Sequence, residues 1–165
     1  MSKWYGSLFN RLEEGYTPDN IKVGMGVTQY YYSDREPYEV TKVIDQKHIF
    51  IRALDYKRTD DYGMSECQVY EYTSKPDSPE IELVRRNNAW YSVDVISKET
   101  LMERARERQE MLGTKSVEIA YNYLLCMWGL TEKQYENIEL GKQVKKYQKM
   151  NISIGRAEAY YDYSF

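Results

Sequence analysis

The stretch YEVTKVIDQKHIFIRAL, residues 38–54, decides the fold. Tyr38, Val40 and Ile44 fall on alternate positions and share one face of an extended strand. After the turn formers Asp45-Gln46 the alternation resumes, with Ile49, Ile51 and Ala53 on one face, Phe50 and Leu54 on the other, and Arg52 between them. β-branched and aromatic residues at period two, divided by a turn, predict an antiparallel hairpin. The second strand carries apolar residues on both faces, as expected where a sheet curls into a partial barrel or is capped by helices.

Outward from this hairpin the same pattern runs from Ile21 to Val95. It is broken by the turn signals Ser33-Asp34, Asp60-Asp61-Tyr62-Gly63, Lys75-Pro76-Asp77-Ser78-Pro79 and Asn87-Asn88, which predicts about six short antiparallel strands. Ahead of it, Trp4, Leu8 and Leu12 recur every four residues and Gly15 follows, the mark of a short amphipathic helix. Behind it the punctuation turns helical. Ser97 caps a helix to about Leu112 with Gly113 beyond, and Gly129 ends a second segment holding Val117, Ile119, Tyr121, Leu124, Leu125 and Trp128. Thr131 with Gln134 forms a capping box for a third helix expected to reach about Met150, with Gly141 its weak point. The final RAEAYYDYSF returns to strand character. The expectation is one α+β domain: an N-terminal helix in 1–20, an antiparallel sheet in 21–95, a helical insertion in 96–150 and a closing strand in 151–165.

A chain of 165 residues with 42% hydrophobic and 30% charged side chains can bury a core without staples and is too apolar for disorder. No run approaches the roughly 20 apolar residues of a membrane span, and MSKWYGSLFN lacks a signal-peptide core, so a cytoplasmic location is expected. Cys67 and Cys126 stand apart and His48 is the only histidine. This predicts reduced core cysteines and no metal or other cofactor. A net charge of −3 argues against a whole-surface grip on nucleic acid. Eighteen tyrosines against three phenylalanines favour interfaces and stacking sites, because tyrosine joins a large apolar ring to a polar tip.

Signs of catalysis are weak. His48 begins a strand after Lys47, where an exposed hairpin histidine is ordinary. Gly24-Met25-Gly26 reads as a turn or bulge rather than a phosphate cradle, and Asp34, Asp60 and Asp61 read as Asx turn residues. Three clusters instead suit ligand binding. Tyr30, Tyr32, Asp34 and Arg35 place aromatics beside a charged turn. Arg85, Arg86, Asn87, Asn88 and Trp90 gather two guanidinium forks, two amides and an indole, the groups that grip phosphate and stack on a base. Arg156, Tyr161 and Tyr163 form the third, on a terminal strand that also suits pairing with a second subunit. In the helical segment, Arg104, Arg106 and Arg108 among Glu103, Glu107 and Glu110 read as i,i+4 pairs on a solvated face.

The segments GMGVTQYYYSDREPYEV (24–40) and YYDYSF (160–165) resemble a family of small proteins encoded by bacteriophages and prophages of gut Firmicutes. The resemblance rests on Gly24, Gly26, Thr28, Ser33, Asp34, Tyr38, Val40, Gln68, Tyr70, Tyr161, Asp162 and Phe165. In layout, a β-rich sheet with an inserted helical block and a closing strand is similar to the Thoeris anti-defence sponges, phage proteins that sequester cyclic ADP-ribose signals. The resemblance implies a phage counter-defence protein that binds a nucleotide-type immune signal without cleaving it, as a homo-oligomer in the host cytoplasm, with no enzymatic activity. The alternative is an anti-CRISPR-like inhibitor that docks on a host defence enzyme.

Overall fold

The structure, a computed structural model, describes residue 10 and residues 15–65, 67–113 and 116–163. The helix expected near the N-terminus lies outside the described residues apart from Asn10, as does Phe165. The fold is α+β. The elements are β1 Gly26–Tyr30, β2 Arg35–Asp45, β3 His48–Arg58, β4 Tyr70–Ser74, β5 Glu80–Arg86, β6 Ala89–Ile96, α1 Lys98–Leu112, α2 Val117–Met127, α3 Glu132–Glu139, β7 Val144–Met150 and β8 Ile152–Gly155.

The hydrogen-bonded path runs β7-β6-β5-β3-β2-β1-β8, with β4 attached to β3 off this path. The strands at its two ends, β7 and β8, are consecutive in the chain and separated by Asn151 alone. β3 serves two partners on one side: His48–Arg52 pair with β5 and Leu54–Arg58 with β4. Two compact units result, one of residues 1–93 and 148–165, the other of residues 94–147.

The first unit is built around Ile21, Val27, Tyr38, Val40, Ile49, Ile51, Leu83, Trp90, Ile152 and Ile154. Each fully buried aliphatic side chain contributes roughly 1.5–3 kcal/mol of transfer free energy. The deciding hairpin forms as expected, with one correction. Ile44 does not share the face of Tyr38 and Val40; it is exposed, and Val43 packs on the core in its place. The ladder steps from Val40↔Ile51 to Lys42↔Phe50 and from Val43↔Ile49 to Asp45↔His48. Thr41 and Ile44 are thus extra residues, and each inverts the inside-outside parity of the strand.

The second unit has its own core of Ile96, Leu101, Ala105, Ala120, Tyr121, Leu124, Leu125, Ile138 and Val144. Ser97 Oγ accepts from Thr100 N at 3.2 Å before α1, and Thr131 and Gln134 complete the capping box of α3. The expected third helix stops early. α3 ends at Glu139, Gly141 takes φ 74°, and residues 144–150 form β7 rather than helix. Val144, Tyr147 and Met150 recur every three residues, a spacing a helix also permits, and left-handed Gly141 breaks the helix before it reaches them.

Candidate binding cleft and the strap that frames it

The chain after β8 makes no continuous ladder. β8 itself, four residues of the expected closing strand, pairs antiparallel with β1, and residues 156–163 then cross the sheet as a strap. Extended backbone without a ladder needs other hydrogen-bond partners, and side chains supply them. Thr28 Oγ1 donates to Arg156 O at 2.8 Å and accepts from Glu158 N at 3.0 Å. Ala159 N donates to the Tyr72 hydroxyl at 2.9 Å. Arg35 and Tyr160 exchange both backbone bonds. The Gln68 amide mimics a strand partner: Nε2 donates to Tyr161 O at 2.6 Å and Oε1 accepts from Tyr161 N at 3.0 Å. Asp34 Oδ1 accepts from Asp162 N at 2.8 Å. Gly26 lets the strap lie close, since a Cβ there would stand 2.3 Å from Ala157 N. Gly26, Thr28, Asp34, Gln68, Tyr161 and Asp162, scattered in sequence, meet at this one feature.

Beside the strap the β1–β8 pair opens a cleft of about 350 Å³. Two aromatic residues border it. Tyr30 is buried on β1 and its hydroxyl lies 2.9 Å from Ser153 Oγ. Tyr16 is 64% exposed, set there because its carbonyl accepts from Ile154 N at 2.9 Å. Gly155, at φ 135°, would place a Cβ 3.6 Å from the Tyr16 ring. Thr28 and Ser153 add hydroxyls to the lining. Charge enters through Glu158, whose Oε2 pairs with Arg35 and whose Oε1 lies 2.6 Å from Arg156 Nη2. Arg35 also lies 5.7 Å from the centre of the Tyr30 ring and donates to Asn10 Oδ1. Two guanidiniums thus share one carboxylate, leaving a net positive rim on which the Arg156 side chain is 83% exposed.

A smaller depression of about 200 Å³ lies on the other side of the strap, lined in part by Met64, Gln68, Tyr161 and Tyr163. Tyr161 and Tyr163 meet edge to face at 4.9 Å. Arg58 donates to the Tyr163 hydroxyl at 3.3 Å and grips Asp60 through two bonds of 2.7 Å. The Arg58 hydrogen bonds, with the amides of Val69 and Tyr62, hold the Asp60 carboxyl well below the usual carboxylate range.

The expected ligand residues therefore separate. Tyr30 and Arg156 line the cleft, Arg35 anchors its carboxylate, and Asp34 holds the strap. Tyr32 is exposed in the turn after β1, and Tyr161 and Tyr163 belong to the second depression. The Arg85–Trp90 cluster does not assemble at the surface. Asn87 and Asn88, at φ 48° and 60°, make the tight turn between β5 and β6, as two left-handed residues do. Arg86 is exposed beside them, and Arg85 has its Nε enclosed without a hydrogen-bond partner. Trp90 is a core residue, 2% exposed, with Nε1 donating to Thr17 Oγ1 at 3.0 Å. Its ring cannot stack on a ligand without unpacking the core. Both cysteines, expected inside, are exposed.

Tyr16, Ser153 and Glu158 were not singled out by sequence reasoning. Their placement depends on β8 pairing with β1, which no local pattern announces. Comparison with protein-family models, curated proteins and solved structures gives no match to this chain. Among the described residues no helix is long and apolar enough to cross a membrane.

Proposed function

We propose that the chain is a binding protein that holds a small nucleotide-type ligand in the cleft between β1 and β8 and releases it unchanged. The observation that carries this reading is the meeting of Arg156, Tyr16 and Tyr30 around one opening of about 350 Å³. Small-molecule sites run from about 300 to 1,000 Å³ and combine apolar walls with a few placed polar groups, so this one suits a ligand of mononucleotide size. Arg156 presents a guanidinium fork to a phosphate and Tyr16 offers a ring face to a base. Chemical steps on the ligand are disfavoured because the hydroxyls are already committed. Thr28 bonds the strap backbone and Tyr30 bonds Ser153, while His48 sits on β3 with its Nε2 2.9 Å from Glu82. The phage counter-defence setting, in which such binding sequesters an immune signal, rests on the resemblance of residues 24–40 and 160–165.

A second reading, a protein that inhibits a host defence enzyme by docking on it, is favoured by the exposed tyrosines Tyr62, Tyr161 and Tyr163 beside exposed Met64. Aromatic and methionine side chains are enriched at protein interfaces.

A thermal-shift screen with mononucleotides, cyclic dinucleotides and cyclic ADP-ribose isomers separates the two. A ligand at 100 times its Kd stabilises by about 2.7 kcal/mol. The expected result is a shift with one nucleotide class, lost in Arg156→Ala and in Tyr16→Ala, with the ligand recovered intact. Recovery of cleaved ligand overturns the non-hydrolytic reading. No shift with any nucleotide, together with a stable complex with a defence enzyme that Tyr161→Ala weakens, establishes the second.

A further inference from the structure

We propose that the helical unit carries a separate site for single-stranded nucleic acid, built from Arg104 on α1, Trp128 at the end of α2 and Lys146 on β7. The Arg104 guanidinium stands 4.9 Å from the centre of the Trp128 ring and the Lys146 ammonium 5.5 Å from it. Trp128 is the C-cap of α2, with its backbone N–H on Leu124 O, and its indole is held partly buried against the core of the helical unit. Gly129 follows at φ 55°, and a Cβ there would lie 3.9 Å from Lys146 Nζ.

Two cations gathered on one ring repel each other, and carboxylates usually balance such a pair. Here none does: neither Arg104 nor Lys146 has an ion-pair partner among the described residues, and the one ion pair made by α1 among them is Lys98–Glu139 at 3.1 Å. Along α1, Arg104 and Arg108 stand one turn apart, as do Glu99 and Glu103, and like charges at that spacing cost helix stability. Two cations on one ring, neither ion-paired among the described residues, make an electrostatic site for an anion.

The indole narrows the class. Single-stranded nucleic acid supplies phosphates to the cations and bases that stack on the guanidinium plane and the uncovered part of the indole, whereas an acidic peptide supplies only the anion. Stacking and phosphate contacts are alike for every base, so binding is sequence-tolerant. Because the whole chain carries −3, the contact stays confined to this patch and is strongly salt-dependent.

The test is fluorescence anisotropy with a labelled oligothymidylate of about a dozen nucleotides, a length within the range one binding module covers. Wild type binds at low salt and loses affinity as salt rises. Removing two phosphate contacts in Arg104→Ala/Lys146→Ala flattens the slope of log K against log salt by about 1.4. Arg106→Ala, away from the trio, leaves binding unchanged, and Arg104→Lys/Lys146→Arg retains it. If the alanine pair melts early, Arg104→Gln/Lys146→Gln, which keeps side-chain length over the ring, carries the same expectation. Absence of binding by wild type at low salt overturns the proposal, as does equal affinity in a folded double variant. Equal binding of polyglutamate reassigns the patch to an acidic protein and overturns it too.

Discussion

At the scale of single residues, Glu36 shows how one carboxylate tunes its neighbours. Its Oε2 accepts from the Tyr31 hydroxyl at 3.0 Å and from the Tyr38 hydroxyl at 3.1 Å. Burial first, then the hydrogen bond to Glu36 and its charge, push the Tyr31 phenol up to about 12. A raised folded pKa means that the native state resists losing the proton. The stability linked to Tyr31 is therefore fully present below its unfolded value of about 10 and is lost as pH rises beyond it. Ultraviolet titration of tyrosinate should show Tyr31 ionising near 12, earlier in Glu36→Gln but still above an ordinary tyrosine, because burial is the larger cause. A Glu36→Gln protein whose Tyr31 titrates as in wild type removes the carboxylate from the account. Trp90 teaches the opposite lesson about residue type. Beside Arg85 in sequence it looked like a ligand platform, and in space its ring is core. The chemistry of a side chain does not say which face of a strand it occupies.

At the scale of elements, sequence is legible where the signal is local. The helix boundaries at Ser97, Gly113, Gly129 and Thr131 could be read directly because capping chemistry lies within four residues of each end. The Asn87-Asn88 turn was equally plain. Ile44 was misplaced because a bulge is an event between two strands, invisible to the alternation within one. The strap was misread as a strand for a related reason: its partners are the side chains of Thr28, Gln68, Tyr72 and Asp34, 87 to 130 residues away in sequence. Those partners make a definite prediction. Gln68 holds the Tyr161 backbone through two hydrogen bonds and is itself positioned by the Tyr70 hydroxyl at 2.7 Å. Each such bond contributes about 0.5–1.5 kcal/mol net. Gln68→Ala should raise hydrogen exchange at Tyr161 by roughly one to two orders of magnitude, as about 1–3 kcal/mol of local protection is lost. Exchange in β3 should not change. Unaltered protection at Tyr161 contradicts the latch.

At the scale of the whole molecule, the chain leaves the sheet at β6, builds a helical unit, and re-enters at β7. β7 and β8 are one continuous stretch broken only at Asn151, so the segment that leaves the helical unit is also the one that completes the sheet and launches the strap. This long-range economy was hardly legible in sequence, where residues 144–150 carry lysines and a three-residue apolar spacing that suit a helix as well. The structure sorts its buried apolar residues into two sets, Val27 to Leu83 with Ile152 and Ile154, and Leu101 to Leu125 with Ile138. Each set has become a separate core. Separate cores imply separable energetics. Ile49→Ala and Leu124→Ala each remove a buried aliphatic side chain and should cost about 2–5 kcal/mol. Sites that share no partner add to within about 0.5 kcal/mol, so the double variant should show the sum. The spatial signature is sharper than the sum. Native-state hydrogen exchange in Leu124→Ala should rise through α1, α2 and α3 while β2 and β3 keep their protection, and Ile49→Ala should reverse the pattern. If either substitution loosened both sets equally, the two cores would be one cooperative body, and the independence here assigned to the sheet's cleft and the helical unit's basic site would fall with it.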